Sequence, residues 1–142
     1  MKIHITENIE NIIEGYSMMP IVYGKIDISK YPDNSITEII AVDALDSIPI
    51  DYIDTFFEQI CKKMRIGCRT VLGGAELGLV ARNIISEKID SKQFNQLMSN
   101  KKSIHSSSNI VNILQKFNLN IDSVIIKGNN YEITSSRSTN KN

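Results

Sequence analysis

The sequence contains no tryptophan, only three prolines and two cysteines, and just 6% aromatic residues among its 142 positions. Two cysteines, Cys61 and Cys68, are too few for a disulfide framework, and their spacing supplies no set of zinc ligands. No apolar run approaches the ~20 residues that span a bilayer, and the first residues lack the apolar stretch of a signal peptide. These absences predict a cytoplasmic protein with reduced cysteines and no membrane contact.

An excess of charge of one sign is also missing, because 16 Lys and Arg balance 16 Asp and Glu. We therefore do not expect a protein that binds nucleic acid or a membrane surface through net positive charge. The 26 isoleucines and 14 asparagines have A/T-rich codons. This composition fits an AT-rich source such as a virus or a small-genome bacterium, and for a virus the location would be the host cytoplasm or the virion.

The residues that are present suit one globular domain. Hydrophobic residues make up 42% of the chain and charged residues 23%, which are ordinary values for a folded protein. A domain of this length buries about 68–70% of the surface of its unfolded chain, so it can fold without disulfides or metal. We predict one domain over residues 1–135 and a frayed polar tail over residues 136–142.

Runs of apolar and β-branched residues predict an alternation of strands and helices. The predicted strands are 3–6, 21–28, 37–45, 69–72, 122–127 and 131–135, and the predicted helical segments are 7–16, 51–65, 77–89, 91–98 and 109–117. Such alternation favours a Rossmann-like, mostly parallel α/β sheet with helices on both faces. The last two strands flank Gly128-Asn129-Asn130 and predict a C-terminal antiparallel hairpin.

Five short motifs occur in order along the chain. They are Gly15-Tyr16 with Lys25-Ile26-Asp27-Ile28, Pro32-Asp33-Asn34-Ser35-Ile36, the segment 41–49, Lys63-Met64-Arg65-Ile66-Gly67-Cys68, and the terminal helix with its hairpin. Their order and spacing resemble the class I S-adenosylmethionine-dependent methyltransferases, most closely the small phage and bacterial members. The resemblance covers about residues 2–135 and implies that a cofactor would lie over the carboxyl ends of the strands.

The turn after the first strand departs from that family's pattern. The family's Leu-Asn-Leu-Gly-Cys-Gly is matched by Ile3-His4-Ile5-Thr6-Glu7-Asn8, so both glycines are replaced. Because glycine lets the backbone approach the cofactor closely, Thr6 and Asn8 put Cβ atoms where the cofactor should lie. Glu7 adds a negative charge near the pocket for the cofactor's carboxylate, and two such charges ~4 Å apart repel by on the order of 4 kcal/mol.

Two acidic residues remain as candidate cofactor ligands, and we predict no catalytic and no metal-binding residue. The resemblance places Asp27 on the ribose hydroxyls of S-adenosylmethionine, whereas an aspartate at a strand end also commonly caps the next turn. It places Asp43 near the adenine, with an ordinary polar residue at a strand end as the alternative. His4 is predicted to be a packed or surface residue of the first strand, and His105 to lie in a solvated loop.

These observations favour a catalytically inactive methyltransferase-like domain that binds no cofactor. It would act as a binding or structural subunit of a complex, with a protein partner or a second copy of itself. The alternative is an active S-adenosylmethionine-dependent methyltransferase with a divergent cofactor loop and an unknown substrate. A nucleic-acid accessory protein is a third reading, which the neutral charge and the few aromatic residues disfavour.

Overall fold

A computed structural model describes residues 1–138 as a six-stranded sheet flanked by helices. The strands are β1 (Lys2–Thr6), β2 (Ser17–Pro20), β3 (Ile36–Ala41), β4 (Met64–Ala75), β5 (Asn120–Lys127) and β6 (Asn130–Ser136). The helices are α1 (Ile53–Lys63), α2 (Leu77–Ile85), α3 (Ser91–Met98) and α4 (Ser107–Lys116), with short 3-10 helices at Leu45–Ser47 and Ile50–Tyr52. The predicted α/β class and the C-terminal hairpin are confirmed.

The strand order in the sheet is β2-β1-β3-β4-β6-β5. The first four of these strands are parallel to one another, whereas β6 runs antiparallel to both β4 and β5. The sheet is therefore mostly parallel with an antiparallel pair at one side, as predicted. The carboxyl ends of β1, β3 and β4 consequently meet at one edge of the sheet.

The main hydrophobic core lies between one face of the sheet and the helices α1 and α4. Ile3 of β1 and Ile39 of β3 are fully buried there against Phe56 and Phe57 of α1. The apolar residues of α1 recur at helical spacing, so the helix presents one continuous stripe to the sheet. Full burial of each such side chain contributes about 1.5–3 kcal/mol, which explains why α1 forms where the sequence predicts it.

The connection from β1 to β2 contains no helix, so the predicted helical turn within residues 7–16 is wrong. The segment is a series of turns, and Ile9 and Ile12 are 67% and 77% exposed. The connection from β1 to β2 crosses the sheet in one direction, whereas the connection from β3 to β4, which contains α1, crosses it in the other. Because crossovers between parallel strands are right-handed, the two connections lie on opposite faces of the sheet. In agreement, the ammonium of Lys2 lies 5.6 Å from the centre of the Tyr16 ring.

The strand predicted over residues 21–28 is also wrong, because β2 is formed by the preceding residues. Within the predicted range, Val22 and Lys25 exchange two backbone hydrogen bonds of 2.9 and 3.1 Å across a tight two-residue turn. Gly24 in this turn has a φ of +74°, and a Cβ at that position would lie 2.5 Å from Pro49 Cδ. The β-branched run therefore folds back on itself and packs against Pro49, in the segment between β3 and α1.

The strand predicted over residues 69–72 is the centre of a longer strand, the 12-residue β4. Gly67 lies within β4 and has a φ of +89° where the register against β3 shifts. Gly73 and Gly74 extend the same strand and are paired with β6. The helix before β4 ends at Lys63, because the chain enters the sheet at the next residue.

The predicted polar tail, residues 136–142, begins inside the fold rather than beyond it. The guanidinium of Arg137 donates to the carbonyl of Cys61 at 3.1 Å and to the carbonyl of Met64. Because these carbonyls end α1, the arginine caps the helix and fixes the last part of the described chain. The remainder of the predicted tail, residues 139–142, lies outside the described residues.

Candidate functional site

Open α/β sheets bind their ligands at the carboxyl ends of the strands, and two adjoining cavities open at that edge here. They have volumes of about 340 and 370 Å³ and share Asp43, Asp46 and Lys101 in their walls. Asn8 contributes to the first cavity and Tyr131 to the second. We call these two cavities together the candidate site.

Asp46, on the 3-10 helix that follows β3, is the buried carboxylate of the candidate site and is 6% exposed. Its Oδ2 accepts a hydrogen bond from Lys101 Nζ at 2.7 Å and another from the backbone N–H of Ala75 at 2.9 Å. Its Oδ1 has no hydrogen-bond partner among residues 1–138. A buried carboxylate needs such a charged partner, so the pair joins the loop after α3 to the end of β4.

Gly74 allows the side chains of Asp46 and Tyr131 to pack against β4. A Cβ at Gly74 would lie 2.5 Å from Asp46 Oδ1 and 3.1 Å from the hydroxyl of Tyr131. That hydroxyl is buried without a hydrogen-bond partner in the part of the chain that the structure describes. Burial, reinforced by the charges of Asp46 and Glu76, raises the pKa of Tyr131 well above its ordinary value. The phenol is therefore neutral near pH 7 and unsuited to act as a base.

The loop between α3 and α4 reaches over this edge, and the prediction that His105 is solvated is wrong. His105 is only 2% exposed, and its Nε2 lies 2.8 Å from Ser103 Oγ. The hydroxyl of Ser103 also donates to the carbonyl of Ile48 at 2.6 Å, so Ser103 and His105 together tie this loop to the chain that follows β3. Burial lowers the pKa of His105, and the negative charge of Asp46 only partly offsets this shift. The ring is therefore neutral and has a structural role.

Side chains occupy the turn after β1, where the family resemblance implies close approach of a cofactor. The hydroxyl of Thr6 donates to Asp43 Oδ2 at 3.3 Å and accepts from the backbone N–H of Asn8 at 3.1 Å. Glu7 lies in the wall of the first cavity. No helix follows this turn before β2, so the turn lacks the helix N-terminus that binds anionic groups in related sheets.

Asp27 lines a different cavity from those of the candidate site. It comes after β2 has ended at Pro20, and its Oδ1 accepts from the hydroxyl of Ser29 at 2.6 Å and from the Ser29 backbone N–H at 3.1 Å. The hydroxyl first, and then the backbone group, lower the pKa of Asp27. Asp27 lines a separate cavity of about 370 Å³ that shares no residue with the candidate site. Among the cavities described here, Asp27 and Asp43 therefore line different ones.

Sequence reasoning missed the polar cluster formed by Asp46, Lys101 and Tyr131. Asp46 stands within one of the family-like motifs, but its partner Lys101 is separated from it by 55 positions. No local pattern indicates a pair of this kind, because the contact depends on how the loop after α3 folds over the sheet. The Gly73-Gly74 pair was the available signal, since two glycines inside a strand mark close approach of another group.

Metal and membrane sites are not apparent in the described part of the chain. No group of three or more His, Cys, Asp or Glu residues within 1–138 is arranged to hold a metal ion. Among the helices of the same residues, none has the length and hydropathy that crossing a bilayer requires.

No family model matches the sequence, and no curated protein matches it. The fold, by contrast, is similar to solved structures of methyltransferases. One is the magnesium protoporphyrin IX methyltransferase of Synechocystis with bound S-adenosylhomocysteine, with a TM-score of 0.57, 14% identity, and coverage of 93% of this chain and 56% of that one. Another is the putative methyltransferase of Haloferax volcanii in complex with the Trm112 methyltransferase activator, with a TM-score of 0.63, 8% identity, and coverage of 94% and 66%.

A third similar structure is an O-methyltransferase family 2 protein of Planctomyces limnophilus, with a TM-score of 0.55, 12% identity, and coverage of 78% of this chain and 32% of that one. The chain thus spans about a third of this protein and little more than half of the Synechocystis enzyme. These likenesses establish the fold, which is that of the class I S-adenosylmethionine-dependent methyltransferases, as the motifs predict.

Proposed function

We propose that the chain is a methyltransferase-like domain that transfers no methyl group and acts as a binding or structural subunit of a cytoplasmic complex. The observation that carries this proposal is the connection from β1 to β2, which is a run of turns with no helix and no glycine at its start. Fold and activity are separable, because an activity depends on its site and not on the scaffold.

Three features of that connection oppose S-adenosylmethionine. Thr6 stands where the family has a glycine, and its side chain is bonded to Asp43. Glu7 puts a negative charge in the wall of the cavity that would receive the cofactor's carboxylate. Repulsion of on the order of 4 kcal/mol corresponds to about a thousandfold weaker binding. The missing helix removes a source of positive potential that would offset this charge.

The residues expected to bind the adenosine end of the cofactor do not form one site in this chain. Asp27, the candidate ribose ligand, caps its own turn through Ser29 and stands in a different cavity from Asp43. A cofactor that bridges the two positions would have to contact both residues at once. The arrangement therefore supports the reading in which Asp27 is a turn residue and Asp43 is a polar residue at a strand end.

A core that is fully packed around a degenerate site suggests that the outer surface of the domain is in use. The Haloferax methyltransferase was solved together with a protein activator. We extend that mode of action, a protein bound to this fold, to the present chain, with the partner being another protein or a second copy. We therefore assign the chain no substrate, no catalytic residue and no cofactor.

Isothermal titration calorimetry of the purified chain with S-adenosylmethionine and with S-adenosylhomocysteine tests the proposal. We expect no heat of binding from a protein that melts cooperatively, and no change in its melting temperature. A ligand present at 100 times its dissociation constant would add about 2.7 kcal/mol to the free energy of unfolding, which is easily seen in a melt.

Micromolar binding of either compound would overturn the proposal and support the active enzyme instead. In that case Asp43→Ala and Asp27→Ala should each abolish the binding. Asp33→Ala is the matched control, because Asp33 is an exposed carboxylate paired with Lys63 at 2.8 Å, outside all three cavities. Equal loss in the control would indicate a general effect on folding.

A further inference from the structure

The two edges of the sheet differ in how well they resist pairing with another strand. The edge at β2 is four residues long and ends in Pro20, which has no N–H to donate. The edge at β5 is eight residues long and contains no proline. Val124, Ile125 and Ile126 in β5 are 44%, 44% and 49% exposed. Such a long, apolar edge is a template for strand addition.

The exposed residues of β5 lie on both faces of the sheet. Val124 is paired with the core residue Ile133 of β6, whereas Ile125 is paired with Glu132, which points to the other face. A helix docked on one face would cover only part of this apolar surface. A strand added to the edge has side chains on both faces and covers all of it, while its backbone satisfies the free N–H and C=O groups.

We propose that β5 pairs with β5 of a second copy of the chain in antiparallel orientation, about a twofold axis through Ile125. This inference rests on the proposed function and deepens it by naming the partner. In this register Ile125 faces the partner's Ile125, and Val124 faces the partner's Ile126. Ser123 faces the partner's Lys127. Directly opposed residues lie on the same face, so each apolar side chain meets another apolar side chain.

The pattern of β5 suits a second copy better than an unrelated strand. A twofold interface needs a surface that is complementary to itself, and the order Ser, Val, Ile, Ile, Lys over residues 123–127 meets that need. Parallel pairing in register would bring Lys127 beside its own copy, whereas antiparallel pairing separates the two lysines and places each opposite Ser123. The register shift between Ile121 and Ser123 limits the regular pairing to this segment.

Light scattering on a sizing column, over a series of protein concentrations, tests the inference. We expect the mass of two chains for the unmodified protein. Ile125→Lys should reduce it to the mass of one chain, because two lysines would then face each other on the axis. Ile85→Lys is the matched control: this residue of α2 is 83% exposed and lies outside β5, so the dimer should persist.

Cysteine cross-linking then tests the register. Ile125→Cys should form a covalent dimer under mild oxidation, because directly opposed Cα atoms lie about 4.5–5.5 Å apart, within reach of a disulfide. Val124→Cys should not, because its own copy lies diagonally at about 7–8 Å. The native thiols compete little, since burial raises the pKa of Cys61 to about 11 and of Cys68 to about 12.

The mass of one chain at every concentration, or a dimer that survives Ile125→Lys, would overturn the inference. A covalent dimer of Val124→Cys without one of Ile125→Cys would overturn the register. These results are distinguishable from failure of the proposed function, which is decided by the titration with S-adenosylmethionine. A monomer that binds no cofactor would leave a different protein as the partner, whereas a dimer that binds it would be an enzyme with this interface.

Discussion

Gly74→Ala tests the packing of the candidate site directly. The new Cβ would lie 2.5 Å from Asp46 Oδ1 and 3.1 Å from Asp46 Cγ, well inside contact distance. Asp46 cannot simply rotate away, because its other oxygen is held by Lys101 and by the backbone of Ala75. Overpacking costs about 1–3 kcal/mol, and weakening a hydrogen bond to a buried charge costs about 1.5–3 kcal/mol. We therefore expect a loss of about 3 kcal/mol.

Urea denaturation followed by circular dichroism measures this loss, and a thermal melt should show a fall of about 10 °C for a domain of this size. The same substitution in an Asp46→Ala background should cost much less, because the clash has been removed. Gly128→Ala is a control: no atom lies within 4 Å of its added Cβ, and only its φ of +60° opposes alanine. An unchanged urea midpoint for Gly74→Ala alone, or an equal loss in the Asp46→Ala background, would refute the packing described for this strand.

Three other changes test polar groups elsewhere in the fold. His4→Leu should raise the free energy of unfolding by about 1 kcal/mol, because the buried ring nitrogens of His4 have no hydrogen-bond partner among residues 1–138; a less stable variant in urea would contradict this. Arg137→Ala should lower it by about 2 kcal/mol through loss of the bonds at the end of α1, and Arg137→Lys should recover little, because ammonium cannot reproduce the planar geometry. Burial alone would raise the pKa of Glu76, but the hydrogen bonds its carboxylate accepts, first from the Ser107 backbone, lower it. A lowered folded-state pKa stabilises the protein above the unfolded value and loses that effect as the pH falls. Melting temperatures measured from pH 6 downward should therefore fall less steeply in Glu76→Gln, and identical profiles would argue against this account.

Local signals in the sequence predict the helices and the hairpin well. The helix α3 spans the predicted residues, and its start is fixed locally by the reciprocal capping box of Asp90 and Gln93. The terminal hairpin is equally local, since Gly128 and Asn129 separate two β-branched runs. In both cases the residues that determine the element lie within a few positions of one another.

The failures arise where distant contacts decide the structure. β2 is built from Ser17, Met18, Met19 and Pro20, which have weak strand propensity, because pairing with β1 fixes that stretch. The more β-branched residues that follow form a turn instead, with Tyr23 at a φ of 52°. His105 is buried by contacts with the chain around Ile48 that its own neighbours in sequence do not indicate.

The candidate site residues show the same dependence on contacts that the local sequence does not indicate. The resemblance to a family singled out Asp27 and Asp43. In the structure, the carboxylate of Asp27 is held by Ser29 and that of Asp43 by Thr6. The buried pair of Asp46 and Lys101 had no counterpart in any motif. Long-range charge pairs of this kind depend on loop conformation, so a single sequence does not reveal them.

The position of β4 has a consequence for folding during synthesis on the ribosome. This strand lies between β3, which precedes it in the chain, and β6, which the ribosome produces more than fifty residues later. Until β6 has emerged, one side of β4 is an unpaired strand edge, and the cap from Arg137 to the end of α1 is absent. The parallel half of the sheet is therefore exposed to wrong pairing while the chain is being made. The nascent domain should depend on chaperones that bind unfinished chains until its last strand is free to close the sheet.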